Sequence, residues 1–167
     1  MSSTEHRRTA PRSVTIHILT VSDTRTPDTD ASGRAVADLL SGAGHVVHGR
    51  AIVRDDPGEV RGRLEALAAE PGVQAVITPG GTGITSRDST FEAIDSLLTK
   101  RLDGFGELFR MLSYQEIGAA AMLSRATAGL CGRTVVIALP GSEHAVRLAM
   151  EKLVLPELAH LVREAER

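Results

Sequence analysis

Hydrophobic positions along the chain fall into short continuous runs that are separated by stretches with helical spacing. Three runs rich in β-branched residues, at positions 14–21, 73–78 and 134–139, contain few polar interruptions. Such runs are typical of strands that are buried on both faces of a parallel sheet. A fourth run, at positions 45–53, alternates less regularly and predicts a parallel strand nearer the edge.

Helical patterns lie between these predicted strands. Positions 32–44 begin with Ser32 as a candidate N-cap, and positions 56–70 begin with Asp56 followed by Pro57, an order that is favoured at helix starts. Strand and helix therefore alternate. This alternation predicts an α/β fold with a doubly wound, mostly parallel sheet and helices on both faces.

The pattern changes in the second half of the chain. Ser89 and Glu92 have the spacing of a capping box, and positions 106–126 have helical spacing for most of their length. A last predicted helix begins at Ser142 and is expected to break near Pro156, because proline cannot donate a helical hydrogen bond.

Length and polarity define the expected domain organisation. A chain of 167 residues suits one domain, with positions 14–167 as that domain and positions 1–13 as a disordered N-terminal segment. No apolar run approaches the ~18 residues of a membrane span.

The formal net charge of -2 and an aromatic content of 2% offer neither a basic surface nor a stacking platform, so we expect no nucleic-acid partner.

Cys131 is the only cysteine in the chain. A single cysteine excludes an intrachain disulfide and any multi-cysteine metal site, and it suits a reducing compartment, which favours a cytoplasmic location. Because Cys131 lies beside an apolar run, we interpret it as a small buried side chain rather than a nucleophile.

A glycine-rich loop follows the third predicted strand, in the sequence "TPGGTGITSRDST". Ligands of open parallel sheets bind beyond the carboxyl ends of the strands. Gly80, Gly81 and Gly83 would let backbone amides approach an anion closely, and Thr82 adds a hydroxyl group, which favours a phosphate-binding loop. A tight turn without a ligand is the alternative. The loop matches neither the P-loop nor the dinucleotide-binding signature.

Charged residues follow this loop and the second predicted strand. Arg87 could neutralise phosphate and Asp88 could hold Mg²⁺, although a surface turn with an N-cap salt bridge would explain the same pair. Asp55 lies directly before the helix N-cap Asp56 and is free to face a ligand. Two carboxylates at two strand ends can share one Mg²⁺ ion and a triphosphate.

The two remaining strand ends are also polar. Ser22 begins a loop rich in Ser, Thr and Asp, while Pro140 and Gly141 form a turn before Ser142. The Ser142 hydroxyl could bind an anion at a helix start or could serve only as an N-cap. A flavodoxin-like FMN site would use similar loops, but the chain has few aromatic side chains to enclose the flavin.

Four motifs together resemble a known family. The segments "TPGGTGITSRDST", "GFGELFRMLSYQEIG", "LSRATAG" and "LPGS" are similar, in order and spacing, to the molybdenum cofactor biosynthesis proteins that include molybdopterin adenylyltransferase, most closely the protein B branch. The resemblance extends from position 16 to about position 161. It implies a molybdopterin-binding α/β fold that assembles into homotrimers or homohexamers.

The resemblance also implies an activity, the adenylylation of molybdopterin with Mg²⁺ and ATP and with release of pyrophosphate. Asp55 and Asp88 then correspond to catalytic, metal-binding carboxylates. The other matching residues would bind substrate, and they are Ser22, Gly80, Gly81, Thr82, Gly83, Arg87, Pro140, Gly141 and Ser142. The alternative within the same pathway is a non-catalytic carrier of molybdopterin or its precursor.

An apolar segment lies outside the predicted strands. It includes Phe105, Leu108, Phe109, Met111, Leu112, Ile117 and Met122. This segment predicts either a subunit interface or a helix that packs on the chain's own sheet, and the sequence leaves both open.

Overall fold

Six strands occur in the part of the chain that the computed structural model describes, residues 11–167. They are β1 (Thr15–Val21), β2 (Val46–Val53), β3 (Ala75–Pro79), β4 (Lys100–Arg101), β5 (Thr127–Cys131) and β6 (Thr134–Leu139). One sheet contains them in the order β2-β1-β3-β6-β5-β4. Neighbours from β2 to β6 are parallel, whereas β5 and β4 are antiparallel additions. The four predicted parallel strands are confirmed, with β2 at one edge.

Successive side chains of the central strands face two separate hydrophobic cores, which explains why helices cover both faces. Ile16, Ile18 and Ile77 lie in one core, and Val76 and Val136 lie in the other. The first core is covered by α1 (Ala31–Gly42), α4 (Asp103–Ile117), α5 (Glu143–Ala149) and α6 (Leu155–Glu166), and the second by α2 (Pro57–Ala69) and α3 (Thr90–Leu97). The predicted α/β architecture is therefore confirmed.

Strands β5 and β4 were not predicted by the hydrophobic pattern. β5 has five residues with small side chains among them, and β4 has only two residues, so neither forms a clear apolar run. The hairpin from β5 to β6 turns at Gly132 and Arg133, where Gly132 has a φ of 63°. A glycine in a two-residue turn is a recognised hairpin signal and could have identified β5.

Two predicted helix starts differ from the structure. The N-cap of α1 is Asp30 rather than Ser32, because the Asp30 carboxylate accepts the amide of Gly33. The capping box at the start of α3 does not form: Ser89 makes no side-chain cap bond, and Glu92 pairs with Arg125 at 2.6 Å instead.

The predicted N-caps Asp56 and Ser142 are confirmed. Asp56 accepts the amide of Glu59 at 2.8 Å, and Ser142 accepts the amide of Ala145 at 3.2 Å. Each bond satisfies a backbone amide that has no partner within the first turn of its helix.

The helix does not break near Pro156 as predicted but changes its hydrogen-bond pattern before that residue. The residues between α5 and α6, Met150–Val154, form a π-helical turn, and the chain continues as helix through Pro156 because this proline lies in the first turn of α6. The helix predicted at positions 106–126 is largely confirmed, since α4 is followed by a 3₁₀ helix, Gly118–Leu123.

Two expectations concern the remainder of the chain. The predicted disorder of positions 1–13 falls mostly on residues 1–10, which lie outside the described residues. Within residues 11–167, no helix has both the length and the apolar character that crossing a membrane requires.

Candidate functional site

A cleft of about 550 Å³ opens where the carboxyl ends of β1, β2, β3 and β6 meet. Parallel strands place the loops that follow them at the same edge of the sheet, and the switch in strand order beside β1 separates those loops. The predicted site residues that line this cleft are Ser22, Asp55, Gly80, Gly81, Thr82, Gly83, Gly141 and Ser142. Pro140 belongs to the same turn but does not line the cleft.

A second, smaller cavity of about 270 Å³ adjoins the cleft. Its lining consists of Asp23, Asp55, Thr85, Arg87 and Asp88, so the structure brings the two predicted carboxylates Asp55 and Asp88 together. Asp23 and Asp55 line both the cleft and the smaller cavity. Negative side chains and one arginine therefore lie directly beside the glycine loop.

The backbone of the glycine loop requires glycine at two positions. Gly80 has a φ of 96°, and a Cβ atom there would lie 2.2 Å from the carbonyl oxygen of Val21. Gly81 has a φ of 69°, and a Cβ atom there would lie 2.8 Å from the Val21 side chain and 2.9 Å from that of Thr90. The tight packing of the loop thus accounts for these glycines without a ligand.

The same loop nevertheless presents free hydrogen-bond donors. The Gly80 amide is used by the carbonyl of Leu139 at 2.9 Å. Within residues 11–167, the amides of Thr82 and Gly83 have no hydrogen-bond partner. Both residues line the cleft, so these amides can bind an anion such as phosphate.

Asp88 closes the loop that follows the glycines. Its Oδ2 atom accepts the backbone amide of Thr85 at 2.7 Å. Hydrogen bonds from the hydroxyl and the amide of Thr85 lower the pKa of Asp88, and the positive charges of Arg125 and Arg87 add to this effect. Asp88 is therefore a carboxylate at neutral pH. The N-cap salt bridge considered from the sequence is absent among the described residues, since Asp88 pairs with the loop backbone instead.

The loop after β1 is shaped by Ser22. Its hydroxyl oxygen accepts the amides of Thr24 at 3.2 Å and Arg25 at 3.0 Å, which forms a compact turn. Asp23 then reaches across to β2, where its Oδ1 atom accepts the amide of Asp55 at 3.0 Å. The sequence indicated only a polar loop at Asp23, although its place directly after a strand was a signal for a role in the site.

A buried network fixes the floor of the cleft. Asp30, which is almost fully buried, accepts the hydroxyl of Thr20 at 2.8 Å and lies 3.3 Å from the guanidinium of Arg50. Ser32, two residues along, donates its hydroxyl to the carbonyl of Gly141 at 2.5 Å. These bonds connect the loop after β1 to the turn after β6.

Two other reactive side chains have no place in the site. Cys131 is half-buried at the β5–β6 hairpin, and burial, with a smaller contribution from Glu65, raises the pKa of its thiol. A thiol that resists ionisation is a poor nucleophile. His144 is exposed on α5 and pairs with the carboxylate of Glu116.

Comparisons with known proteins agree with this architecture. The family described as "Probable molybdopterin binding domain" matches residues 17–160. Molybdenum cofactor biosynthesis protein B of Bacillus cereus is 52% identical over 168 residues, covering 100% of this chain and 99% of that protein. The corresponding protein of Bacillus subtilis is 50% identical over 165 residues, covering 98% and 97%.

Solved structures extend the comparison to three dimensions. A crystal structure of molybdenum cofactor biosynthesis protein B superimposes with a TM-score of 0.91 at 53% identity, covering 95% of this chain and 99% of that one. The tungsten cofactor synthesizing protein MoaB from Pyrococcus furiosus has a TM-score of 0.82 at 39% identity, covering 95% and 100%. The chain therefore belongs to the molybdopterin-binding domain family, which confirms the resemblance seen in its motifs.

Proposed function

We propose that this protein acts in molybdenum cofactor biosynthesis by transferring AMP from ATP to molybdopterin, with Mg²⁺ and with release of pyrophosphate. One observation carries the proposal: Asp55 and Asp88 line a single cavity with Arg87, directly beside a cleft with free backbone amides. Pathway membership is supported by the relatives named molybdenum cofactor biosynthesis protein B.

The donor set fits a magnesium ion held partly by substrate. Asp55 and Asp88 offer hard carboxylate oxygens, which Mg²⁺ prefers. Among residues 11–167, no three histidine, cysteine or acidic side chains form a group that could hold a metal on its own. This suits Mg²⁺, which usually takes one or two carboxylates and completes its octahedron with phosphate oxygens and water. The bound ion would neutralise negative charge on the triphosphate.

The protein's own residues would bind and orient the reacting groups. The terminal phosphate of molybdopterin forms a bond to the α-phosphorus of ATP, and the bond from that phosphorus to pyrophosphate breaks. The amides of Thr82 and Gly83 would hold phosphate oxygens, and Arg87 would offset the charge that develops on the leaving group. Ser22, Gly141 and Ser142 would fix the remaining anionic groups along the cleft. Positioning and charge therefore suffice, without a covalent intermediate on the protein.

A molybdopterin carrier is the second candidate function. The hydroxyl groups and amides along the cleft would serve a bound phosphate equally well in such a protein. A carrier has no requirement for paired carboxylates, which repel an anionic ligand, and the cavity at Asp55 and Asp88 therefore favours the transferase.

The deciding experiment measures pyrophosphate release from molybdopterin, ATP and Mg²⁺. We expect release that requires all three components and that falls sharply in Asp55→Asn and Asp88→Asn, with molybdopterin binding retained in both variants. Asp38→Asn, on the exposed surface of α1, is the matched control and should leave the rate unchanged. Tight molybdopterin binding without any release would reject the transferase and support the carrier.

We further propose that the protein is a homotrimer or homohexamer. The apolar segment noted in the sequence divides in the structure: Phe109 is fully buried in the core, whereas other side chains on α4 and the 3₁₀ helix are about half exposed or more. These exposed side chains are Leu108, Met111, Tyr114, Ile117, Met122 and Leu123. An apolar surface of this kind on a globular protein favours a protein–protein interface.

Sedimentation equilibrium tests the assembly directly. We expect a mass three or six times that of the chain, and a smaller species for the double variant Met111→Glu, Met122→Glu. Replacing exposed Glu151, on the π-helical turn, with Lys should leave the mass unchanged. A wild-type monomer would reject the proposed assembly.

A further inference from the structure

Asp23 lies in the site, but the proposed mechanism gives it no role. It lines both the cleft and the smaller cavity, a property that it shares with Asp55 alone among the described residues of these two cavities. Its carboxylate also contacts the Asp55 backbone. We infer, on the basis of the proposed function, that Asp23 is a positioning residue that fixes the Asp55 carboxylate through the Asp55 amide.

The position of Asp23 is set by bonds on both sides of it. The amide of Ser22 donates to the carbonyl of Val53 at 2.9 Å, which joins the end of β1 to the end of β2. The Ser22 hydroxyl oxygen then accepts the amides of Thr24 and Arg25. The loop is therefore anchored before and after Asp23, and its carboxylate is directed toward the residues that follow β2.

Asp55 lies in a short turn that has few other constraints. The turn closes with a 2.7 Å bond from the amide of Asp56 to the carbonyl of Arg54, after which Asp56 caps α2. Within residues 11–167, the partner of the Asp55 amide is the Oδ1 atom of Asp23, at 3.0 Å. Removal of this acceptor would leave the peptide before Asp55 held only through the Arg54 carbonyl, and the direction of the Asp55 carboxylate would be less well fixed.

A direct metal-binding role for Asp23 is less consistent with the geometry. Asp23, Asp55 and Asp88 line one cavity, but one carboxylate oxygen of Asp23 is already occupied by the Asp55 amide at 3.0 Å. This contact gives Asp23 a role through its neighbour. This distinction is testable because asparagine keeps an Oδ1 acceptor and loses the negative charge, whereas alanine loses both.

The experiment compares Asp23→Ala and Asp23→Asn with the wild-type protein. Asp28→Ala is the matched control, since Asp28 is an exposed acid of the same loop that lines neither cavity. Two quantities are measured: kcat and KM for pyrophosphate release, and the affinity for Mn²⁺ in the presence of ATP by electron paramagnetic resonance. The Mn²⁺ titration requires no turnover. Circular dichroism melting confirms that each variant is folded.

We expect Asp23→Ala to lower kcat and to weaken Mn²⁺ affinity by roughly 10- to 100-fold, the usual effect of losing a residue that orients a metal ligand. The KM for molybdopterin should stay near the wild-type value. Asp23→Asn should remain within about threefold of wild type in both quantities, because it keeps the acceptor for the Asp55 amide.

Three results would overturn the inference. Wild-type behaviour of Asp23→Ala would show that the contact with Asp55 is unimportant. An equal loss in Asp23→Asn and Asp23→Ala would assign the effect to the charge of Asp23 and hence to direct metal binding. If the wild-type protein does not bind Mn²⁺ in the presence of ATP, Asp55 is not a metal ligand and Asp23 has no ligand to position. If the wild-type protein binds Mn²⁺ but releases no pyrophosphate, the proposed transferase fails while the titration still decides the role of Asp23.

Discussion

The carboxylate of Asp88 accepts the backbone amide of Thr85 at 2.7 Å and thereby closes the loop between the glycines and α3. The same carboxylate lines the cavity that contains Asp55 and Arg87. Asp88 thus has two separable properties, an acceptor that holds the loop and a negative charge that faces the site. The hydrogen bonds from Thr85 are the main cause of the lowered pKa of Asp88. The lowered pKa keeps the side chain ionised, so that it carries the charge and can accept hydrogen bonds at both oxygens.

Substitution of Asp88 can separate these properties. Asp88→Asn keeps an acceptor for Thr85 and removes the charge, so we expect normal folding and a loss of roughly 100-fold or more in kcat for pyrophosphate release. Asp88→Ala loses both properties and should in addition show greater mobility of the loop in hydrogen exchange. Full activity in Asp88→Asn would contradict a metal-binding role for this carboxylate.

Gly80 should tolerate no side chain. Its φ of 96° is unfavourable for other residues, and a Cβ atom would lie 2.2 Å from the Val21 carbonyl oxygen, so Gly80→Ala should lower the free energy of unfolding by more than about 2 kcal/mol. Gly62→Ala is the matched control, because Gly62 lies in α2 with no atom within 4 Å of the added methyl group. That substitution should stabilise the protein by about 0.5–1 kcal/mol in urea denaturation. Equal stabilities of the two variants would contradict the close approach at Gly80.

The sequence predicted the parallel half of the sheet well because β1, β3 and β6 are buried on both faces and therefore consist mostly of apolar residues. β5 was missed because its side chains are small and its position is defined by pairing with β6. The predicted site residues that line the cleft could be identified once the strands were known, because parallel strands bring their carboxyl ends to one edge of the sheet.

Other features of the site depend on contacts between distant residues. The bond from Ser32 to Gly141 spans 109 positions, and the bond from Asp55 to Asp23 spans 32 positions, so neither follows from local spacing. The exposure of Met122 beside the buried Phe109 likewise depends on which face of α4 meets the sheet. A periodic pattern shows that a helix has an apolar side, but it does not show how much of that side its own sheet covers.

Cys131 should react slowly with thiol reagents in the folded protein. Burial raises the pKa of its thiol, and the charge of Glu65 adds to this effect, so the thiolate fraction at pH near 7.5 is below that of an unperturbed cysteine. We expect the rate of modification by Ellman's reagent to rise by at least about tenfold in denaturant, and Cys131→Ala to keep wild-type pyrophosphate release. Fast modification of the folded protein, with loss of activity, would instead place this cysteine in the chemistry.

His17 should make folding stability depend on pH. It is a buried residue of β1 beside β2, its Nδ1 atom lies 3.3 Å from Nδ1 of His48, and its Nε2 atom has no partner within residues 11–167. His48 in turn lies 3.1 Å from the carboxylate of Glu70. Burial is the main cause that lowers the pKa of His17, followed by the charges of His48 and Arg63, while Glu70 acts in the opposite direction.

The sign of the effect follows from the lowered pKa. The unfolded chain binds a proton near the ordinary value of 6.5, whereas folded His17 does so only at lower pH. Stability from this residue is therefore fully present above that value and is lost as the pH falls below it. We expect the free energy of unfolding, measured with urea from pH 8 to pH 5, to decline in the acid range, and His17→Gln to reduce the slope of that decline. His45, whose pKa burial also lowers, should leave a smaller slope of the same sign. A slope unchanged in His17→Gln would show that His17 is not the group responsible.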